Sequence, residues 1–266
     1  MVFDGPNGGR AASSANWMGL MIDARLTTDA LGTLRDAIAD QGFSFLAGDG
    51  TRRLLARDAL ADWTGFQASW DQLGLDKHMA DGGRYRRRRH AAFSVCADGI
   101  RRKPHQPHYQ SRDYNHLNGG IERWFEPITD VIAAHPALEA VLRFCVALFD
   151  PLTPAGTRPS AWHTEVHQFR IEPRADAPGL PTPEGIHRDG VDWVLVMLIR
   201  RENVSSGTTT IHDLAGDLLG SFTLQNPLDA ALVDDSLVFH GVTPVLPVDP
   251  QRPAFRDVLV VTLRRP

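Results

Sequence analysis

The chain has 266 residues, of which 42% are hydrophobic and 23% are charged, and its formal net charge is −4. A chain of this size and composition can bury a sizeable core, and it fits one large domain. The small negative charge gives no overall reason to expect a nucleic-acid or membrane partner.

The cysteines and the ends of the chain bear on the compartment. The only two cysteines, Cys96 and Cys145, have no Cys-x-x-Cys spacing, which argues against a disulfide framework or a thiolate zinc site and favours the cytoplasm. The first residues lack a basic start followed by an apolar stretch, so we expect no secretory signal. Residues 1–16, rich in Gly, Asn and Ser, are expected to form a flexible tail.

Helical patterns dominate the chain up to about residue 150. The clearest helix is predicted over Pro136 to Phe149, where apolar residues recur with a helical period. Three further elements are predicted before it: a helix capped by Thr27-Thr28-Asp29 and ended by Gly42, the strand Phe43-Ser44-Phe45, and a helix from Leu54 to Trp70.

After Asp150 prolines punctuate short segments, and β-branched runs replace the helical patterns. Seven strands are predicted: His163 to Glu172, Val191 to Ile199, Thr208 to Asp213, Gly220 to Leu224, Ala230 to Val233, Leu237 to Phe239 and Asp257 to Leu263. Short strands after a helical first half predict a mainly β, cupin-like jelly roll with helices packed outside. We interpret the change near residue 150 as lying inside a single domain that covers residues 1–266.

A metal site is predicted from the segment His187-Arg188-Asp189. In an extended chain the side chains of His187 and Asp189 point to the same face, while Arg188 points to the other. His240, at the end of a later predicted strand, is well placed to supply a third ligand. Two histidines and one carboxylate that leave open coordination positions are typical of non-haem iron(II) oxygenases, so these three residues are the predicted catalytic metal ligands.

Two alternatives accompany this prediction. A lone His-x-Asp is more often a surface ion pair or a hydrogen-bonded core histidine than a metal ligand. Two histidines and a carboxylate also bind catalytic zinc, although zinc hydrolases usually place their histidines on a helix. The predicted strand position of both ligand segments favours iron.

Arg256 is the predicted anchor for 2-oxoglutarate, the co-substrate whose distal carboxylate needs a positive partner. Arginine binds planar carboxylates through two parallel hydrogen bonds. Arg256 opens the last predicted strand, and it can point into the interior near one end. Arg264 is the alternative anchor, and one hydroxyl of Thr208-Thr209-Thr210 is a candidate to assist.

The densest basic run is Arg84-Tyr85-Arg86-Arg87-Arg88-Arg89-His90. As a strand, it places Arg86, Arg88 and His90 on one face and Arg87 and Arg89 on the other. Three interpretations stay open: solvated or structural pairing, contact with a substrate carboxylate, and contact with nucleic-acid phosphates, against which the net charge speaks. The substrate-contact interpretation adds His167, on a later strand, as a residue that could lie near the iron.

Several stretches resemble the bacterial 2-oxoglutarate and iron dioxygenase family that includes L-isoleucine hydroxylases and a biofilm, stress and motility protein. The stretches that carry the resemblance are Pro183 to Asp192, Ser206 to Asp213, Leu228 to Asp235, His240 to Val245 and Arg256 to Val260. The resemblance spans residues 84 to 264, the expected jelly-roll core. It implies a double-stranded β-helix, iron(II) and 2-oxoglutarate as cofactors, His187, Asp189 and His240 as metal positions, and Arg256 as the 2-oxoglutarate arginine. Val258 stands where better-known relatives have a serine in an Arg-x-Ser pattern.

The resemblance also implies hydroxylation or sulfoxidation of a free aliphatic L-amino acid, with O2 as the second substrate. From the net charge we expect no nucleic-acid or membrane partner. A different class of function is a non-catalytic barrel that binds a small acid in stress or motility regulation. A third is a metal-dependent isomerase or hydrolase of cupin type. The oligomeric state and the identity of the substrate stay open at this point.

Overall fold

The computed structural model describes the backbone of residues 14–266 and the side chains of residues 28–266, apart from that of Arg57. The α-helices of this part are α1 (Ser14–Gln41), α2 (Gly48–Leu54), α3 (Trp63–Ala68), α4 (Asp130–Ala133) and α5 (Pro136–Phe149). Its strands are β1 (Phe43–Leu46), β2 (Arg86–Cys96), β3 (Gly99–Arg102), β4 (Trp162–Ile171), β5 (Trp193–Glu202), β6 (Val204–Ser206), β7 (Thr208–His212), β8 (Leu218–Thr223), β9 (Ala230–Asp234), β10 (Phe239–Val242), β11 (Val245–Pro247) and β12 (Phe255–Arg264).

The strands form one large sheet and two small ones. The large sheet has the order β1-β9-β5-β12-β4-β2-β3, and its neighbouring strands pair antiparallel. The small sheets have the orders β10-β7-β8 and β11-β6. From β5 to β12 the chain alternates between the large sheet and the small ones, which is the course of a jelly roll. The predicted mainly β fold with flanking helices, a double-stranded β-helix, is therefore confirmed.

The large sheet has two faces of different character because side chains alternate along each strand. On β12 the residues Leu259, Val261 and Leu263 are buried in the main apolar core. The alternate residues of the same strand, among them Arg256 and Val258, line a cavity on the opposite face. The fold thus places helices behind the sheet and leaves its inner face for a ligand.

Helix α5 supplies much of the core behind the sheet. His135 caps its N-terminus by accepting a hydrogen bond from Ala137 N at 3.2 Å, and Pro136 occupies the first turn, where its missing N–H costs nothing. The apolar residues from Leu138 to Leu148 that set the predicted period are buried, and the predicted bounds of this helix match those observed.

Two of the predicted helices need correction. Helix α1 begins at Ser14, so Thr27-Thr28-Asp29 lies inside it rather than at its cap. The helix predicted over Leu54 to Trp70 is broken into short segments, because Asp62 caps a new helix by accepting from Gly65 N at 3.1 Å. The strand predicted at Phe43-Ser44-Phe45 is observed as β1, which adds to the edge of the large sheet by pairing with β9. Of the expected tail, residues 1–13 lie outside the described residues, and residues 14–16 belong to α1.

None of the helices in the described part of the chain combines the length and the apolar character needed to cross a membrane.

Candidate active site

His187 and His240 face each other as partners in an isolated antiparallel β-bridge. His187 precedes β5 and does not lie on a regular strand as predicted, whereas His240 lies within β10. Asp189 lies between the two imidazoles, with its carboxylate oxygens 3.6 Å from His187 Nε2 and 3.5 Å from His240 Nε2. One ligand atom from each of the three residues lies within 4.8 Å of the others. The structure therefore brings the three predicted metal ligands together.

The loop around Asp189 is held by a buried carboxylate that sequence reasoning did not single out. Asp235 accepts hydrogen bonds from the backbone N–H groups of Asp189 at 2.9 Å, Gly190 at 2.8 Å and Val191 at 3.1 Å. Gln110 Nε2 donates to the carbonyl oxygen of Asp189 at 3.1 Å. These bonds fix the direction of the Asp189 side chain before any metal binds.

Hydrogen bonding also selects the ring nitrogen that His187 offers. Its Nδ1 lies 3.1 Å from the carbonyl oxygen of Gly185, to which it donates, so Nε2 is the nitrogen left to bind a metal once it releases its own proton. Gly185 has a φ of 84°, in the left-handed region that glycine adopts without strain. This turn is therefore part of the metal site.

The electrostatics of the three residues favour a bound cation. Burial raises the pKa of Asp189, but hydrogen bonds from His187 and His240 hold that pKa well below its usual value. Burial lowers the pKa of His187, but Asp189 and then Glu184 outweigh it and raise the pKa to about 9. An ionised carboxylate and a second acid beside two imidazoles create a place where positive charge is stabilised, which fits a divalent metal.

Arg256 meets the requirement for an anion anchor. Its side chain is 1% exposed and lines a cavity of about 400 Å³ that also contains the three predicted ligands. Its Nε and Nη2 atoms are buried without a hydrogen-bond partner among the described residues. Burial, and then the nearby Arg201, lower its pKa to about 10, as expected for a positive charge that lacks a counterion. A carboxylate in the cavity would satisfy both nitrogens.

The alternatives to Arg256 are less well placed. Arg264 reaches the cavity but is exposed at the end of β12. Thr208, Thr209 and Thr210 do not belong to the cavity lining; instead Thr182 and Thr262 do. Thr208 Oγ1 forms a hydrogen bond with Thr223 Oγ1 at 2.9 Å.

The basic run on β2 divides between the two faces as the alternation predicts. Arg87 points away from the cavity and pairs with Glu172 at 3.0 Å, whereas Arg86 and Arg88 are buried and line the cavity. Arg86 Nε donates to Asp76 at 2.8 Å, and its Nη2 has no partner among the described residues. The predicted substrate residues on this strand therefore face the site.

Arg88 is held tightly by its neighbours. Its guanidinium lies 3.5 Å from the ring centre of Phe125 and 4.3 Å from that of Phe169, a cation–π sandwich. Its Nη2 donates to His167 Nδ1 at 2.7 Å. His167, also predicted to contact substrate, lines the same cavity.

A second cluster, which sequence reasoning did not assemble, surrounds Glu165. His108 Nδ1 donates to Glu165 Oε2 at 2.5 Å, while His167 Nε2 and His90 Nε2 lie 3.6 and 3.8 Å from the same oxygen. Burial lowers the pKa of each of these three histidines. Burial raises the pKa of Glu165, but hydrogen bonds, first from His108, hold it well below its usual value. The cluster is thus a carboxylate surrounded by neutral imidazoles.

This second cluster matches a metal site by ligand count, but its hydrogen bonding does not suit one. Because Arg88 donates to Nδ1 of His167, the proton of that neutral ring must sit on Nε2, the atom that faces Glu165. A metal would need the lone pair of that atom, and it would lie close to the Arg88 cation.

Further polar residues of the cavity were also missed. Gln110, Asn115, Arg123 and Glu184 all line it, and they are linked by hydrogen bonds from Asn115 Nδ2 to Gln110 Oε1 at 3.1 Å and to Glu184 Oε1 at 3.4 Å, and from Arg123 Nη2 to Gln110 Oε1 at 3.3 Å. Only Glu184 had a signal in the sequence, because it stands three residues before His187 in the segment that carries the ligands.

A jelly roll that gathers two histidines and one carboxylate beside a cavity with an unpaired arginine defines a non-haem metal oxygenase. The model of the 2OG-Fe dioxygenase family matches residues 67–262, and the chain belongs to this family. It is an oxidoreductase that depends on iron(II) and 2-oxoglutarate, and its reaction takes O2 and a small-molecule substrate.

Two relatives and one solved structure illustrate this membership. The chain is 30% identical over 156 residues to an L-isoleucine-4-hydroxylase of Bacillus thuringiensis, a match that covers 58% of this chain and 64% of the relative. It is 23% identical over 239 residues to a 3(1)-hydroxy-L-isoleucine 4-dioxygenase of Pantoea ananatis, covering 86% and 94% of the two chains. The crystal structure of a BsmA homologue of Methylobium petroleophilum PM1 superposes with a TM-score of 0.79 at 38% identity, covering 88% of this chain and 93% of the other.

Proposed function

We propose that this enzyme hydroxylates, or sulfoxidises, the side chain of a free aliphatic L-amino acid. His187, Asp189 and His240 hold the iron, Arg256 binds the distal carboxylate of 2-oxoglutarate, and Arg86, Arg88 and His167 contact the amino acid. The single observation that carries the proposal is the cavity itself, where two arginines with unpartnered nitrogens, Arg86 and Arg256, adjoin the three metal-ligand candidates. The names of the two curated relatives support the choice of an amino acid.

Arg256 and Arg86 each bind one of two carboxylates, that of 2-oxoglutarate and that of the amino acid. In the register of the sheet Arg86 and Arg256 both pair with Ile171, so they stand two strands apart at the same level. Neighbouring strands are separated by about 4.8 Å, which places the two Cα atoms roughly 10 Å apart. One guanidinium therefore serves the co-substrate and the other serves the substrate.

Bound iron and 2-oxoglutarate supply the oxidising chemistry, in which 2-oxoglutarate is decarboxylated to succinate and one oxygen atom enters the substrate. The residues of this chain bind and orient the reactants. Asp76 pairs with both Arg86 at 2.8 Å and Arg88 at 3.7 Å and so offsets part of their charge. Val196, Val258 and Val260 give the cavity an apolar wall that suits an aliphatic side chain.

A screen of the free L-amino acids for stimulated release of succinate tests the proposal. The protein is loaded with iron(II) and 2-oxoglutarate, and we expect aliphatic amino acids or methionine to raise succinate release well above the uncoupled rate. Binding of an amino acid without turnover would contradict the proposal and favour a regulatory small-acid binder.

The proposal includes the setting of the enzyme. We infer one domain over residues 1–266, with helical support mostly before residue 150, and a cytoplasmic location without a nucleic-acid partner. Both described cysteines are unpaired, which suits a reducing compartment. The inward-facing arginines of β2 are buried rather than presented to a large polyanion.

A further inference from the structure

Glu184 has a buried carboxylate oxygen without a partner. Its Oε1 lies 3.4 Å from Asn115 Nδ2 and 3.5 Å from His187 Nε2, whereas its Oε2 has no hydrogen-bond partner among the described residues. The side chain is 9% exposed and lines the cavity. A buried carboxylate oxygen without a donor is costly, and it indicates that a donor arrives with a ligand or solvent.

The other carboxylates around the cavity are already occupied. Glu165 is surrounded by histidines, the nearest of which donates at 2.5 Å. Asp76 pairs with two arginines and accepts from His78 N at 2.9 Å. Asp189 lies between the two imidazoles of the proposed metal site. Among the described residues of this cavity, Glu184 is thus the carboxylate with an oxygen to spare.

The local backbone holds Glu184 beside the proposed metal site. Gly185 N donates to Thr182 O at 3.0 Å and closes a turn, and the left-handed conformation of Gly185 reverses the chain between Glu184 and His187. The side chains of Glu184 and His187 therefore lie next to each other. A cationic group on Oε2 would lie close to the place where oxidation occurs.

Arginine side chains near Glu184 could bind the carboxylate of the same ligand. Arg86, Arg123 and Glu184 line the same cavity, and hydrogen bonds through Gln110 and Asn115 connect Arg123 with Glu184. Arg86 keeps an unpartnered Nη2. The cavity thus offers an unpartnered carboxylate oxygen and an unpartnered guanidinium nitrogen to the same ligand.

We propose that Glu184 accepts the α-ammonium group of the amino-acid substrate while Arg86 binds its carboxylate. This inference rests on the proposed function. It adds the residue that makes the enzyme selective for substrates with a free amino group. The enzyme then distinguishes a free amino acid from the corresponding carboxylic acid, and from an amino acid whose nitrogen is acylated, because neither brings a cation to Glu184.

The test compares Glu184→Gln with the wild-type chain in binding. Glutamine keeps the size of the side chain and its oxygen for Asn115, but it removes the charge. Protein loaded with iron(II) and 2-oxoglutarate is titrated without oxygen, with L-isoleucine and then with 3-methylpentanoate, the same molecule with hydrogen in place of the amino group. Where another amino acid of the screen releases more succinate, it and its own analogue replace this pair.

A matched control removes the same charge on the other face of the sheet. Glu172 pairs with Arg87 away from the cavity and its side chain is 29% exposed, so Glu172→Gln should bind both ligands as the wild type does. We expect Glu184→Gln to bind the amino acid about 10- to 100-fold more weakly, as for the loss of one charge-assisted hydrogen bond. The analogue without the amino group should bind to Glu184→Gln and to the wild type with equal affinity. The two proteins should also retain the same amount of iron.

Equal affinity of Glu184→Gln and wild type for the amino acid would overturn the inference. A loss of iron from Glu184→Gln would overturn it too, because Glu184 would then belong to the metal site. Failure of the proposed function is distinguishable, because it can be seen without any variant: no amino acid would stimulate succinate release by the wild-type chain.

Discussion

The backbone N–H groups of His187 and His240 each donate to the carbonyl oxygen of the other residue, at 2.9 Å in both directions. This reciprocal pair sets the spacing of the two imidazoles, whose ring centres lie 4.7 Å apart. Because the spacing depends on the backbone rather than on the side chains, a change in one ligand should leave the positions of the other two nearly unaltered.

Asp189→Ala should therefore abolish iron retention without unfolding the protein. The bonds that fix the loop go to the backbone N–H groups of residues 189–191 and survive the substitution. Iron content after anaerobic loading and gel filtration checks this, with circular dichroism as the measure of folding. Asp213→Ala is the control, since Asp213 also follows a histidine, His212, but its carboxylate accepts hydrogen bonds from the backbone N–H groups of Ala215 and Asp217 in a turn. Full iron content in Asp189→Ala would contradict the ligand assignment.

Arg256→Met should raise the 2-oxoglutarate concentration needed for half-maximal succinate release by about 10- to 100-fold, because a charge-assisted hydrogen bond contributes about 1.5–3 kcal/mol. The free energy of unfolding without co-substrate should be unchanged or higher, because the substitution removes a buried charge that lacks a counterion. Urea unfolding measures this second effect. The exposed Arg264→Met is the control, and a larger effect there would move the anchor to Arg264.

Arg86→Lys should weaken amino-acid binding by about tenfold and leave the 2-oxoglutarate requirement unchanged. Lysine keeps a charge for Asp76 but lacks the second nitrogen that faces the cavity. Steady-state kinetics with each reactant varied separately checks this. Arg87→Lys, on the opposite face of the same strand, should behave as wild type; an equal loss in both variants would point to a structural effect.

Iron should bind with one equivalent per chain. The cluster around Glu165 has enough ligands for a second ion, but the bond from Arg88 to His167 Nδ1 fixes the wrong tautomer and adds a repelling cation. Equilibrium dialysis of the wild type and of Asp189→Ala measures the stoichiometry. A tight equivalent that persists in Asp189→Ala would show that the second cluster binds metal after all.

The metal-free protein should lose stability as the pH falls below about 6.5. The pKa values of His90, His108 and His167 are lowered in the folded state. On acidification these histidines therefore bind protons in the unfolded chain before they do so in the folded chain. Each such histidine contributes a slope of up to about 1.4 kcal/mol per pH unit. The lowered pKa of Glu165 acts in the same direction below about pH 4.5.

Urea unfolding between pH 6.5 and 5.5 measures that slope, because the raised pKa of His187 adds an opposing slope above pH 6.5. His167→Gln should reduce this slope by the contribution of one titrating histidine. His116 is exposed, so His116→Gln serves as the control. An unchanged slope in His167→Gln would contradict this account of the cluster.

The sequence was sufficient for features that depend on local pattern. Helix α5, most strands and the two faces of β2 follow from periods of 3.6 or 2 residues, and the structure confirms them. The break before α3 was also local, because Asp62 is an N-cap residue, but the apolar spacing across it concealed the signal.

The remaining features depend on residues that meet only in the folded chain. The cluster around Glu165 draws His90, His108 and His167 from three separate segments, and Asp235 binds a loop more than forty positions earlier in the chain. No spacing rule joins such residues, because the register of β2 against β4 decides which histidines adjoin.

The division of the arginines on β2 has a consequence for how that strand is held in place. A shift by one residue would leave three of the four positions Arg86–Arg89 still occupied by arginine, so the run itself hardly penalises a misaligned strand. The alignment must instead be dictated further along, where Phe93 and Val95 are 1% exposed against the helices. Two apolar side chains behind the sheet thus decide which guanidinium groups the substrate meets in front of it.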